Sequence, residues 1–562
     1  MAVVLKIRKR EIGAASYKRG AEGSHLRPVY KAKMPPCQNA CPSGNDIRGF
    51  LTMIAQSDDF KRTNEESSER AWRLLSETNP IPAIIGRVCP HFCETDCNRN
   101  AKDEAVSINQ VERFLGDFAL EKSLKHEKLN DETKSEKIAV VGSGPAGLSC
   151  AFQLARRGYP VTIFEAAPKS GGMLRYGIPS YRLPEDILDA EVANIADLGV
   201  DIKYGTKVGK DISFEDLRKD FDAVYLAIGA QEGWVLGIDG EEGEGVMNAL
   251  EFLNQVNSGQ EMDLKGKKVL VIGGGNSAVD AARVSWRLGA EPQIIYRRTR
   301  EEMPAEDEEI EDTLAEGINI EFLLAPVEVV RDGGKVTGLK VQKMELGEPD
   351  ESGRRRPVPI AGSEYVIDAD MVIPAIGQGG DFEGLDQFKD EKGWITVDEA
   401  TGATSEEGVF AGGDITNRLG TVTEAIGLGR QAANAIDYHI RGEEIPKEYP
   451  PKVVKSDDMA LHYYKEHPRL QKQHIPVEAR AGNFAEVVST WTADVAAEET
   501  TRCMSCGMCF DCGNCYQFCS YNAVKKMDQP VEGGDRYVFA LETCVGCSKC
   551  AEECPCAYID MG

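Results

Sequence analysis

Eleven of the chain's 17 cysteines lie between Cys503 and Cys556, and their spacing states a chemistry. Cys509, Cys512, Cys515 and Cys519 are spaced CxxCxxCxxxC; Cys544, Cys547, Cys550 and Cys554 repeat that spacing, with Pro555 following. Two such runs form the two-cluster ferredoxin pattern, in which the fourth Cys of each run ligates the other run's cluster. One 4Fe–4S cluster is therefore expected on Cys509, Cys512, Cys515 and Cys554, and a second on Cys544, Cys547, Cys550 and Cys519. Five more cysteines stand near the start, in CQNAC (Cys37, Cys41) and CPHFCETDC (Cys89, Cys93, Cys97). Thiolates at these spacings suit an iron–sulfur cluster; zinc and buried free thiols are the alternatives. Such bunching, in a chain without a secretory signal, favours metal ligation in the reducing cytoplasm over a disulfide framework.

Glycines carry the second chemistry. IAVVGSGPAG (138–147) runs an apolar strand into Gly142, Gly144 and Gly147, with Pro145 and Ala146 opening a helix. The first Gly permits a tight turn, the second lets backbone approach a pyrophosphate, and the third lets helix and strand pack closely. The next strand, VTIFE, ends in Glu165, placed to accept the hydroxyls of an adenosine ribose. VLVIGGGNSA (269–278) repeats the pattern with Gly273, Gly275, Asn276 and Ala278. Its following strand ends in Arg297 and Arg298 rather than an acid, which suits the 2′-phosphate of NADP. Surface arginines meeting the nearby acidic run are the alternative. Two dinucleotide folds, the second inserted in the first, point to a flavoprotein that binds FAD and NAD(P)H. YLAIGA (Ala227, Gly229) and MVIPAIGQ (Gly377) are strand ends turning on Gly. GVFAGGD delivers Gly413 and Asp414 toward the flavin's ribityl or pyrophosphate region. The helix opening at Thr421, with Val422, Thr423 and Ala425, can stabilise charge on reduced flavin.

These motifs need several domains to hold them. A chain of 562 residues implies three to five, and 42% hydrophobic with 28% charged residues excludes wholesale disorder. The net charge of −27 argues against nucleic acid or an anionic membrane as partner, and no run is long enough to span a bilayer. The expected order is a basic arm (1–36), a helical iron–sulfur domain (37–130), an FAD domain (131–260 and 375–445) and an inserted NAD(P)H domain (261–374). A connector with a helical stretch (446–500) leads to an α+β ferredoxin domain (501–562). Both nucleotide domains read as doubly wound α/β folds, because short β runs alternate with helices. EEMPAEDEEIEDTLAE reads as a solvated helix face.

GSGPAG, GGMLRYGIPSYRLP (171–184), GGGNSAVDAAR, YRRTREEMPA and AGGD resemble the small subunit of glutamate synthase. Relatives include the N-terminal part of dihydropyrimidine dehydrogenase and the large subunit of the bifurcating transhydrogenase. The resemblance covers about 37–440. It implies FAD in the first fold, NAD(P)H in the second, and the flavin ring near Gly172, Leu174 and Arg182. That family carries two N-terminal clusters, with a CxxC pair upstream; Val29 and Ala32 stand where the pair would fall. One cluster has thereby lost half its ligands. By resemblance the other uses Cys41, Cys89, Cys93 and Glu112, with Cys97 as the rival fourth ligand. Cys37, Cys97, Cys503, Cys506 and Cys556 are then left without a role.

The expectation is an NAD(P)H:acceptor oxidoreductase with FAD, three 4Fe–4S clusters and a protein redox partner; a homo-oligomer is left open. No separate acid or base is required, and no catalytic residue is named. The tail is expected to be removable without loss of flavin reduction. With its ferredoxin domain the architecture resembles the DsrL-type proteins, which implies dissimilatory sulfite reductase as partner. Alternatives are an electron-bifurcating or 2-oxoacid:ferredoxin oxidoreductase-linked subunit, a glutamate synthase small subunit, or a wire whose nicotinamide fold is inert.

Overall fold

A computed structural model describes residues 23–350, 353–416, 420–447, 449–529, 534 and 536–562. The chain forms two units. One gathers the described residues up to His126 with Glu444–Lys472 and Thr490–Gly562; the other is Glu127–Glu443 with Gln473–Ser489.

The second unit is built on two parallel sheets. The first orders its strands Val409–Ala411, Ala223–Leu226, Ile138–Val141, Val161–Phe164 and Asp201–Lys203. The second orders Asn319–Phe322, Glu291–Tyr296, Lys268–Ile272 and Met371–Pro374. Every pair in both sheets is parallel. The strands Ile138–Val141, Ala223–Leu226 and Met371–Pro374 are buried at every residue, as sheets covered on both faces must be. All strands of the second sheet come from the stretch between Leu226 and Val409, so one fold is nested in the other. The alternating pattern did not disclose an antiparallel layer, Leu324–Asp332, Lys335–Pro349, Arg355–Pro359 and Tyr365–Asp368, appended to the inner fold.

In the first unit the helices Ile47–Ala55, Asn64–Ser76, Pro82–Val88 and Ile108–Glu121 enclose Phe50, Leu51, Trp72, Leu75, Val111 and Leu115. Pro82–Val88 and Ile108–Glu121 touch backbone to backbone. A Cβ on Gly86 would lie 2.3 Å from the Arg113 Cα, and one on Gly116 2.1 Å from the Ala83 nitrogen. Trp491 and Ala496, from the far end of the sequence, complete that core.

Two sequence expectations change here. The basic arm is tied into strands where it is described: Pro28–Val29 pairs antiparallel with Asp560–Met561, and Lys33–Met34 pairs parallel with Lys452–Val453. Lys33 is buried, and its Nζ meets Asp560 at 2.9 Å. Residues 1–22 of the arm lie outside the described residues. The connector is not one element. Gln473–Ser489 belongs to the nucleotide unit, where the Val487 N–H donates to the Tyr181 carbonyl at 2.9 Å. The flanking segments belong to the first unit, and the one α-helix among the connector's described residues is Ala493–Thr500.

Candidate functional site

Each glycine of the first fingerprint has its own structural reason. Gly142 leaves the strand with φ +101, and a Cβ there would lie 2.4 Å from the Ala227 carbonyl oxygen. A Cβ on Gly147 would lie 2.0 Å from the Gly142 carbonyl oxygen, so strand and helix are packed at glycine distance. A Cβ on Gly144 would meet nothing within 4 Å: that face is open. Pro145 and Ala146 begin the helix Pro145–Arg156, whose free N–H groups are aimed at the loop. Glu165 is buried; its Oε2 accepts from the Ser143 N–H at 2.8 Å and from the Ser143 hydroxyl, and its Oε1 accepts from the Ala167 N–H at 2.7 Å.

More distant segments close on this loop. Gly172 has φ +54, and its Cβ would sit 3.1 Å from the Gly144 Cα. A Cβ on Gly413 would lie 3.0 Å from the Ala146 Cβ, which brings Gly413 and Asp414 to the first fingerprint. Burial pushes the Asp414 carboxyl up to about 6; it accepts from the Gly420 N–H at 3.1 Å. The helix Val422–Arg441 begins with a Thr421–Glu424 capping box and carries Thr423 and Ala425 buried. Gly229 turns with φ +65, and the Ala227 N–H donates to the Val141 carbonyl at 2.8 Å. Leu174 is buried behind Gly172. An open glycine face at a helix N-terminus, with a buried acid beside it, fits FAD.

Arg182 is different. Its guanidinium is committed to Asp280 at 2.8 Å and Glu309 at 3.0 Å, so it is not a bare cation for the flavin. An arginine this buried needs counter-charges, and the inner fold supplies them.

The second fingerprint repeats the geometry. Gly273 has φ +154 and a Cβ position 2.3 Å from the Ala375 carbonyl oxygen. Gly275 is open, Ala278 is fully buried, and the Asn276 Oδ1 accepts from the Glu306 N–H at 3.0 Å. Gly377, φ +141, packs against the Trp234 ring. The two arginines part company. Arg298 is buried, with Asp350 at 2.5 Å and the Arg355 carbonyl accepting from its Nε at 2.7 Å. A 2′-phosphate would have to displace that ion pair, so the expectation that both arginines serve it is corrected. Arg297 is exposed, and its pKa is lowered by partial burial and then by the like charges of Arg298 and Arg354. Crowded positive charge at the surface is what a phosphate relieves. Asp350 and Arg354 were missed in the sequence because they stand on the antiparallel layer.

The cysteines fall into groups in the first unit. One small cavity is lined by Cys519, Cys544, Cys547 and Cys550, another by Cys509, Cys512, Cys515 and Cys554. Those are the crossed sets read from the spacing, with apolar neighbours such as Val524, Phe539, Phe510 and Tyr558. Cys556 shares the second cavity, with its Sγ 3.9 Å from that of Cys554. Burial pushes the thiols of Cys509 and Cys512 up to about 12. Among the described residues no three His, Cys, Asp or Glu side chains converge as ligands of a single metal ion do. The two sets line cavity walls, and their crossed spacing fits a cuboidal cluster in each.

At the N-terminal cysteines, Cys93 feels the charges of Glu94, Cys89, Cys41 and Glu112 in addition to burial, and Cys41 feels Glu112. Glu112 is buried and pushed up to about 7 by that burial. Its Oε1 accepts from the amides of Asn79 at 2.8 Å and Asn45 at 3.2 Å. These asparagines orient the carboxyl and carry no motif that sequence could have flagged. Cys97 instead lies near enough to Cys37 and Cys503 to raise both of their thiols.

Residues 136–429 match the family described as pyridine nucleotide-disulphide oxidoreductase, and residues 18–124 match the dihydropyrimidine dehydrogenase domain II, 4Fe-4S cluster family. The chain is 38% identical over 520 residues to the NADP(+)-dependent formate dehydrogenase subunit beta of Moorella thermoacetica, covering 86% of this chain and 72% of that one. It is 37% identical over 516 residues to the NADPH-Fe(3+) oxidoreductase subunit beta of Geobacter sulfurreducens, 84% and 75%. It is 36% identical over 423 residues to the glutamate synthase [NADPH] small chain of Escherichia coli, 72% and 88%.

Proposed function

The chain belongs to the pyridine nucleotide-disulphide oxidoreductase family, and on that premise we propose that it couples NADP(H) to a protein redox partner. It is an FAD- and iron–sulfur-dependent NAD(P)H oxidoreductase. In such an enzyme the nicotinamide exchanges a hydride with FAD, and the clusters carry single electrons onward. The residues' part is to bind and orient. The Gly142–Gly147 loop and the helix behind it would receive a pyrophosphate, Glu165 would take the adenosine ribose, and Gly413, next to Asp414, comes up against Ala146 of the same loop. Asn276 and the Gly273–Ala278 turn receive the second dinucleotide. Cys41, Cys89, Cys93 and Glu112 serve one cluster, and the two crossed sets of the tail serve two more. The observation that carries the reading is the pair of tail cavities, each lined by one crossed set of four cysteines, on the same chain as two dinucleotide cradles.

The partner is assigned by class: a protein that exchanges single electrons with the ferredoxin-like tail. The relatives named as subunits of formate dehydrogenase, NADPH-Fe(3+) oxidoreductase and glutamate synthase support a multi-subunit setting. Dissimilatory sulfite reductase rests on the resemblance of the tail architecture, and co-purification from the native cell tests it. Anaerobic NADPH should bleach both flavin and cluster absorbance, and extraction should yield about one FAD per chain. FMN alone, zinc without iron, or no bleaching would each overturn the reading.

The nicotinamide choice is tested separately. Arg297→Ala should weaken NADPH use by about 1–3 kcal/mol, or roughly 5- to 150-fold in kcat/KM, with a much smaller change for NADH. Arg298→Ala should lower thermal stability instead, because it removes a buried guanidinium that pairs with Asp350 and donates to the Arg355 carbonyl. Equal losses for both nucleotides in the Arg297 variant would refute the 2′-phosphate role.

A further inference from the structure

Four of the cysteines left without a role meet in one place. Cys37 lies in the short helix Pro36–Ala40, and Cys97 immediately precedes the turn Asn98–Ala101. Cys503 and Cys506 form a CxxC just after the helix Ala493–Thr500. Asn98, next to Cys97, donates from its Nδ2 to the Cys506 Sγ at 3.5 Å. Arg99 donates from its Nη1 to the carbonyl of Arg502, next to Cys503, at 2.6 Å. Cys37, Cys97 and Cys503 pack against the same apolar core. All four keep some accessible surface. Cys37 feels the charges of Cys97, Cys506 and Cys503.

The surroundings are those of an anionic sulfur site. Backbone N–H groups of Val106 and Arg99 lie near the Cys97 sulfur, and that of Ser505 near the Cys503 sulfur. N–H groups aimed at ligating sulfur stabilise thiolate and tune a cluster's potential. Arg48 supplies positive charge to Cys37, Cys503 and Cys506. Its Nη1 is anchored on the Cys506 carbonyl at 2.7 Å, while its buried Nε makes no hydrogen bond. No disulfide joins these cysteines, and they do not converge on a single-ion site.

We infer that Cys37, Cys97, Cys503 and Cys506 hold a fourth 4Fe–4S cluster, shared between the two ends of the chain. The CxxC missing at Val29 and Ala32 is thereby supplied from the tail, more than 400 residues away in sequence. Cys97 is assigned here and not beside Cys41, which leaves Glu112 as the fourth ligand there. The inference rests on the iron–sulfur reading of the other cysteines.

Anaerobically reconstituted protein, assayed for iron and acid-labile sulfide, should contain about sixteen of each per chain, four clusters of four. Cys503→Ser/Cys506→Ser and Cys97→Ser should each lose about a quarter of the iron and the same component of the dithionite-reduced EPR spectrum. Glu112→Gln should leave that component in place. A wild-type content of about twelve iron overturns the fourth cluster and leaves the other three standing; so does full iron in the Cys503/Cys506 variant. Protein without iron overturns both readings. Should a variant fail to fold, the wild-type iron count decides alone.

Discussion

A Gly147→Ala variant should purify with its iron and without FAD. The added Cβ would lie 2.0 Å from the Gly142 carbonyl oxygen, and both atoms belong to the backbone turn that forms the cradle. Neither can swing aside as a flexible side chain would. Either the helix Pro145–Arg156 moves off the strand or the Gly142 turn opens, and each withdraws the N–H groups from a pyrophosphate. The packing cost alone is about 1–3 kcal/mol, small enough for the unit to stay folded, while the cradle is lost. The inner fold carries Ala278 at the matching position and buries it fully, so the intolerance belongs to this strand–helix pair. FAD content should fall below about a tenth of wild type, a loss above 1.4 kcal/mol in binding. NADPH should no longer bleach the clusters, whereas dithionite still should. Wild-type FAD content in this variant would refute the assignment of the loop.

What was legible in the sequence were features fixed by local backbone demand or by covalent spacing. Gly142 and Gly273 need backbone conformations and close approaches that only glycine meets, so the fingerprint announces itself without tertiary knowledge. The crossed cysteine sets follow from two identical spacings, and the cavities gather the same residues. Features set by long-range pairing were hidden. Arg298 reads as a phosphate ligand until Asp350 arrives from a strand pair more than 50 residues on. Arg182 reads as a flavin neighbour until Asp280 and Glu309 neutralise it. Cys37 and Cys97 look abandoned because their companions stand at the opposite end of the chain.

The same long-range pairing decides how the tail behaves. Arg502 and Glu499 are both fully buried, 2.6 Å apart. Arg502 also donates to the carbonyls of Ala105 at 2.8 Å, Glu104 at 2.7 Å and His467 at 3.0 Å. Glu499 accepts in turn from the Ser107 N–H at 2.8 Å and the Leu470 N–H at 3.0 Å. One ion pair thus satisfies backbone groups from two other stretches of the first unit, 104–107 and 467–470. Arg502→Met strands a buried carboxylate and orphans three carbonyls, a loss of about 3–5 kcal/mol. Against a usual stability of about 5–15 kcal/mol this is a large fraction, and the unit's melting transition should fall by roughly 10 °C. Removing 501–562 would take Arg502 with it. Such a truncation should therefore unfold the N-terminal helices of the first unit, while the dinucleotide cradles, which belong to the other unit, should keep the flavin reduction expected from sequence. Arg502→Met/Glu499→Gln keeps an acceptor for one of the two N–H groups and removes the stranded charge, so it should melt above the Arg502 single variant. Calorimetry on the iron-loaded protein reads both. A single variant that melts with wild type would show that the two ends of the chain are held by other contacts, and the tail could then be cut without harm.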